Sequence, residues 1–265
     1  MISYLPVGKL RMGQELLFAV DGPVGTITLN RPEKLNAMSR GFWSGLREIL
    51  SRVAADPAIR AVVVTGNGPC FSVGGDIESF GQLASPAARR AFAVECLETL
   101  RAVEELPQPV IAAVHGYALG GGCELTMVCD LVVADETAVF GTPEVGVGLY
   151  PGLAAVRGKA HVSLHFLKEM VFLGQRVDAA TARAAGLVNR LVGPGQHLTE
   201  AMTLAAAIAD KAPLAVRAAK RLLNRGSEEG YDHSAEAIAF LHGTADAKEG
   251  VAAFVERRPA RFRGE

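Results

Sequence analysis

Nothing in this 265-residue chain approaches the ~18 consecutive apolar residues that a membrane-spanning helix needs. A charge excess is missing as well. With 27 basic residues against 28 acidic ones, neither nucleic acid nor an anionic lipid surface is favoured as a partner, and a small-molecule role is. Cysteine is scarce: Cys70, Cys96, Cys123 and Cys129 are too few and too scattered for a disulfide framework, and none form C-x-x-C. They read as reduced core or near-site residues. The opening MISYLPVGKLRMGQ lacks the charged start and apolar core of a secretory signal, so a cytoplasmic location is the default expectation. Metal-ligand spacing is thin. His161 and His165 stand at i and i+4, but the acidic residue of H-E-x-x-H is absent and no further ligands follow, so no metal site is expected.

What is present is enough chain for one large domain with a sizeable core. LLFAVDGPVGTITLN carries two β-rich runs around Asp21-Gly22-Pro23 and predicts a hairpin. A helix follows Ser39 as N-cap and ends before Asp56-Pro57. AVVVTG predicts a buried strand, Ser85-Pro86 opens a helix running to about Glu105, and VIAAVHG is again strand-like. Strand, loop and helix alternate in this way from about residue 16 to 192 without a low-complexity linker, which predicts one α/β domain. The remainder is helical in pattern, and its short one-sided helices point to association with a neighbour.

The stretch HGYALGGGCELTMVCD places three glycines at a strand-to-helix junction. Without Cβ atoms, a bound group can approach the main chain, and the first N–H groups of a helix lack internal acceptors and suit developing negative charge. A tight turn with close helix packing explains the same glycines equally well. Glu124 falls in the first turn, before an apolar run, and has its own ordinary explanation as an acid at a helix start. A second glycine loop, GNGPCFSVGGDIESF, supplies another source of exposed N–H groups, and two such donors from separate loops are what an oxyanion hole requires. Glu144, in AVFGTPEVGVGLYPG, is a second carboxylate within reach of one pocket. Two acids beside two amide donors can add or remove a proton next to a carbonyl.

CFSVGGDI, HGYALGGGCEL, FGTPEVGVGLYPG, GLVNRLV and the closing FVERRPARFRG together resemble the enoyl-CoA hydratase/isomerase family, also called the crotonase family. The resemblance implies an α/β spiral of repeated strand-strand-helix units over residues 1–192. Residues 193–265 would form a helical region serving assembly and active-site cover, in a homotrimer or homohexamer. It implies an acyl-CoA substrate, no separate cofactor, and hydration of a 2-enoyl-CoA, with isomerase or another acyl-CoA lyase as the alternative. By position Gly75 and Gly121 match the two oxyanion donors, and Glu124 and Glu144 the two catalytic acids, with Glu144 as proton donor and Glu124 activating the water. Lys34 and Leu35, with Ser72, Val73, Gly74, Asp76 and Ile77, correspond to the contacts with the CoA portion.

Some positions depart from the pattern. PGLAAVRGKA has Leu153, Ala154 and Ala155 where glycines are expected, in a segment that shapes the acyl end of the pocket in relatives. Gly75 stands where alanine is commoner, which keeps the donor and loosens the loop. Ser72 lacks the G-x-S-x-G elbow of a nucleophile, and GLAAVRGKA lacks the last residues of a phosphate loop. An RNA-binding relative would need a basic face on RAAKRLLNRG, from Arg217, Lys220, Arg221 and Arg225, and near-zero net charge favours a solvated face instead.

Overall fold

Asp21 pairs with Val24 across a two-residue connection, so the expected hairpin forms between β2 (Leu16–Asp21) and β3 (Val24–Leu29), with β1 (Leu10–Met12) antiparallel on its outer edge. The computed structural model of the chain describes residues 10–12, 15–81, 83–211, 213–224, 239 and 242–260. After α1 (Arg40–Ala55), β4 (Ala61–Gly66) returns parallel to β3. The predicted cap is in place: Ser39 Oγ accepts from the Gly41 and Phe42 amides. Then come α2 (Ile77–Gly81), α3 (Pro86–Glu105) capped by Ser85, and β5 (Val110–Val114), parallel to β4.

From β5 the chain crosses to a second layer. β6 (Tyr117–Leu119) leads into α4 (Gly121–Val128), β7 (Leu131–Asp135) rejoins the first sheet beside β5, and β8 (Val139–Gly141) lies parallel to β6. α5 (Gly152–Arg157), α6 (Leu164–Leu173), β9 (Arg176–Asp178), α7 (Ala179–Ala185) and β10 (Arg190–Val192) complete a seven-stranded sheet ordered β1-β2-β3-β4-β5-β7-β10 and a three-stranded sheet ordered β6-β8-β9. Single parallel bridges, Met38 to Gly75 and Ser72 to Ala118, continue the small sheet back along the chain. Each long strand is thus followed by a short piece in the second layer, and successive coils stack. This is the strand-strand-helix spiral the resemblance implied.

AVVVTG runs apolar through Val64 because both faces of its sheet are covered. Val62 and Val64 join the main core, whereas Ala61 and Val63 face outward and pack with Ala201 and Ala205 of α8 (His197–Ala209). The expected division at residue 192/193 falls between β10 and α8.

α9 (Pro213–Leu223) removes Lys220 from any basic or solvated face. Lys220 is 7 % exposed, and its ammonium lies 2.7 Å from Asp130 Oδ2 and 3.0 Å from Gln108 O. Arg225, also considered for that face, lies outside the described residues, as do residues 225–238 of the helical tail and Arg261 onward of the closing motif. α10 (Ala245–Val255) begins at Thr244, which caps it by accepting from the Ala247 amide. Among the described residues no helix is long and apolar enough to cross a membrane, and all four cysteines are free.

Candidate active site

Stacking of the second-layer pieces brings the two glycine loops together. Met38 N donates to Gly74 O and Asp76 N to Met38 O, so Gly75, lying between them, turns its own N–H away from Met38. On the next coil, Gly120 (φ 52°) delivers the chain from β6 into α4, leaving the Gly121 amide at the first helical position without an intrahelical acceptor. Among the described residues neither amide has a recorded protein acceptor. A Cβ built on Gly121 would lie 3.6 Å from the Gly75 nitrogen. With a Cβ about 2.5 Å from its own nitrogen, the two nitrogens stand within about 6 Å, and two donors each about 2.9 Å from one oxygen span nearly that distance. That upper limit admits the shorter spacing that two donors to one oxygen need.

The three-glycine question has more than one answer. Gly122 is the packing residue: a Cβ there would fall 2.5 Å from Ser72 O, so the start of α4 can lie against the other loop only without a side chain. The tight-packing reading holds at Gly122, and Gly121 keeps the unengaged amide that the other reading requires.

Glu124 is 9 % exposed, and its Oε1 accepts from the Leu153 amide at 2.7 Å and the Ala154 amide at 3.0 Å. These are the first free donors of α5, whose far end is tied to α3 by the buried Arg157–Glu104 ion pair at 2.5 Å. Burial raises the Glu124 pKa, and the two amides oppose that rise by stabilising the anion. Glu144 sits on the 3-10 turn Pro143–Val147, its Oε1 lying 3.0 Å from where a Cβ on Gly120 would stand and its Oε2 buried without a hydrogen-bond partner among the described residues. Burial first, and then the Glu124 charge, push its pKa up to about 8. The environments split two identical side chains: Glu124 is equipped to hold negative charge, and Glu144 to hold the proton.

The other residues assigned from the sequence also converge, though not all in the expected way. Val73 N donates to Leu35 O, and Lys34 lies 3.5 Å from Glu78. Lys34 and Leu35 are exposed, Val73 and Ile77 partly so, and these four can meet a ligand. Ser72 cannot, because it is fully buried, donating to Asn36 O at 2.8 Å and accepting from Gly74 N at 3.1 Å. Gly74 is likewise buried, and Asp76 is taken up by Arg31 at 3.0 Å, so both brace the loop. Leu153 and Ala154, in the segment expected to shape the acyl end, also donate their backbone amides to Glu124. Sequence reasoning missed that role; the short helix after Pro151 was its only local signal. Among the described residues no cluster of three or more His, Cys, Asp or Glu is arranged to hold a metal.

Stacked coils that bring two amides, without protein acceptors among the described residues, onto turns neighbouring buried Glu124 and half-buried Glu144 define an α/β spiral equipped with hydrogen-bond donors and acids. The family follows from comparison. A profile described as Enoyl-CoA hydratase/isomerase matches residues 20–265, and the chain belongs to that family. It is 38 % identical over 247 residues to a putative enoyl-CoA hydratase of Thermus thermophilus, covering 91 % of this chain and 98 % of the relative. It is 34 % identical over 255 residues to the crotonyl-CoA hydratase of Syntrophomonas wolfei subsp. wolfei, covering 94 % and 98 %. In three dimensions it is similar to an enoyl-CoA hydratase/isomerase from Mycobacterium paratuberculosis, with a TM-score of 0.86, 32 % identity and coverage of 92 % and 99 %.

Proposed function

We propose that this chain is an enoyl-CoA hydratase, adding water across the 2,3 double bond of a 2-enoyl-CoA thioester without a separate cofactor. The observation that carries the reading is the unequal pair of acids beside two unengaged amides. In the reaction, the Gly75 and Gly121 amides donate to the thioester oxygen. Glu124 takes a proton from water as its oxygen bonds to the β-carbon, and the π electrons move onto the thioester oxygen as an enolate. Glu144 then gives its proton to the α-carbon. Water's second hydrogen stays as the product hydroxyl, and passage of the proton from Glu124 back to Glu144 resets the pair.

The names of the relatives support this reading, as does the position of Lys34, Leu35 and Val73 around the loop that bears Gly75, where the CoA portion would lie, with Ile77 turned toward the acyl side. The exposed side chains of Leu164, Phe172, Leu173, Phe254 and Val255 support assembly of copies into a homotrimer or homohexamer. The predicted cytoplasmic location and the role of residues 193–265 as cover and assembly region belong to the same proposal.

Crotonyl-CoA incubated with the protein should lose its conjugated thioester absorbance, and in ¹⁸O-water the product should carry one ¹⁸O at the β-carbon. A product that moves its double bond without gaining solvent oxygen would instead make the chain an isomerase.

A further inference from the structure

A cavity of about 330 Å³ opens beside the catalytic loops, within the usual range for small-molecule sites. Ile77, two residues beyond Gly75, forms one wall together with Val147 and Leu149. Leu149 is tied directly to the catalytic turn, its amide donating to Glu144 O at 2.9 Å. Ala247 and Val251 of α10 also line it. An acyl chain leaving the thioester between Gly75 and Glu144 has this apolar space next to it.

The lining is not apolar throughout. Arg89, on the first turn of α3, and His242, just before α10, also line the cavity. Arg89 Nη1 donates to Leu83 O at 3.1 Å, but its Nε is buried with no hydrogen-bond partner, and no carboxylate pairs with the guanidinium among the described residues. A buried, unsatisfied donor on a charged group is costly, and a planar guanidinium fits a carboxylate through two parallel N–H···O bonds. His242 reinforces this polarity. Burial, and then the Arg89 charge, lower its pKa to about 4, so at neutral pH it is an uncharged imidazole that adds hydrogen-bonding capacity without a second charge. Lys248, exposed where α10 meets the cavity, adds positive potential.

Resting on the hydratase reading for the thioester end, we propose that the acyl group ends in a carboxylate, bound by Arg89 at the far side of this cavity. The substrate class is then the 2-enoyl-CoA half-thioesters of dicarboxylic acids. A plain alkyl chain would fill the same volume while leaving the Arg89 Nε unpaired, so discrimination comes from the unsatisfied donor and not from size.

The test uses binding and turnover separately. Saturated six- and eight-carbon acyl-CoAs, each length made with a terminal methyl and with a terminal carboxylate, are titrated calorimetrically against the wild-type protein, Arg89→Met and Arg89→Lys. The wild type should bind at least one carboxylate-ended ligand roughly 10-fold or more tighter than its methyl-ended counterpart, the scale of a charge-assisted pair. Arg89→Met should invert that order, and Arg89→Lys should retain part of it. Equal or tighter wild-type binding of both methyl-ended ligands overturns the proposal, as does a preference that survives in Arg89→Met. Should Arg89→Met fail to fold, the wild-type preference and its reduction in Arg89→Lys decide the matter. Turnover of the corresponding 2-enoyl-CoAs is then compared. Preference for the carboxylate without hydration removes the hydratase reading and leaves this one standing, and hydration without preference does the reverse.

Discussion

Glu144→Gln is expected to lower kcat for hydration by roughly 10²–10⁴-fold, the usual contribution of a positioned acid or base. Glutamine fills the space and keeps the neutral charge of the protonated acid, but has no proton to give to the α-carbon. The pH dependence follows from the same group. Glu144 must carry a proton, and burial and the Glu124 charge push its pKa up to about 8 in the free protein, so wild-type kcat/KM should fall as pH rises through that value. Stability should move with it. The folded-state pKa lies above the ordinary 4.5, so the folded protein holds an extra proton between about pH 4.5 and 8 and loses stability as pH rises across that window. Glu144→Gln, unable to ionise, should therefore melt higher than wild type at pH 8 and above, with the difference vanishing near pH 4. A variant that is inactive and also less stable at pH 8 would show that the side chain holds the fold and not a proton. Glu124→Gln should cost a similar factor in kcat and shift the basic limb of the remaining activity downward, because the Glu124 charge is one cause of the raised Glu144 pKa.

Gly74→Ala should cost about 100-fold or more in kcat/KM, the loss typical of removing one oxyanion donor. Gly74 has φ 93°, where an alanine is strained, and its Cβ would meet Leu119 O at 2.7 Å and the Gly121 nitrogen at 2.9 Å. Both neighbours are backbone, so the two coils must part, and the Gly75 and Gly121 amides part with them. The contrast is Gly146→Ala on the turn that carries Glu144: a Cβ there has nothing within 4 Å, and activity should stay within a fewfold. Comparable losses in both variants would mean that the spacing of the two loops is not what sustains catalysis.

Local signals carried much of the fold into view. Ser39 and Ser85 cap the helices they precede, and the hairpin turns at Gly22-Pro23, because caps and turns are set by neighbours along the chain. Glu124, Glu144 and the two glycine loops each had an ordinary local explanation, and it was their combination along the chain that singled them out. What stayed hidden depends on contacts far apart in sequence. The second layer is made partly of single bridges at Met38 and Ser72, too short to leave an alternating pattern. The amides that hold Glu124 come from 29 and 30 residues away, and Lys220 is drawn inward by an aspartate 90 residues distant. Ser72 was assigned to the CoA portion by position in the family pattern, yet its hydroxyl is spent on Asn36 O and Gly74 N.

The most direct measurement is the infrared stretch of a ¹³C-labelled thioester carbonyl in bound butyryl-CoA, a saturated ligand that cannot be hydrated. If the Gly75 and Gly121 amides both donate to that oxygen, the band should lie at lower frequency in the complex than in water and should move back in Gly74→Ala. A wild-type band at or above its aqueous frequency would mean that the two amides do not share the carbonyl oxygen.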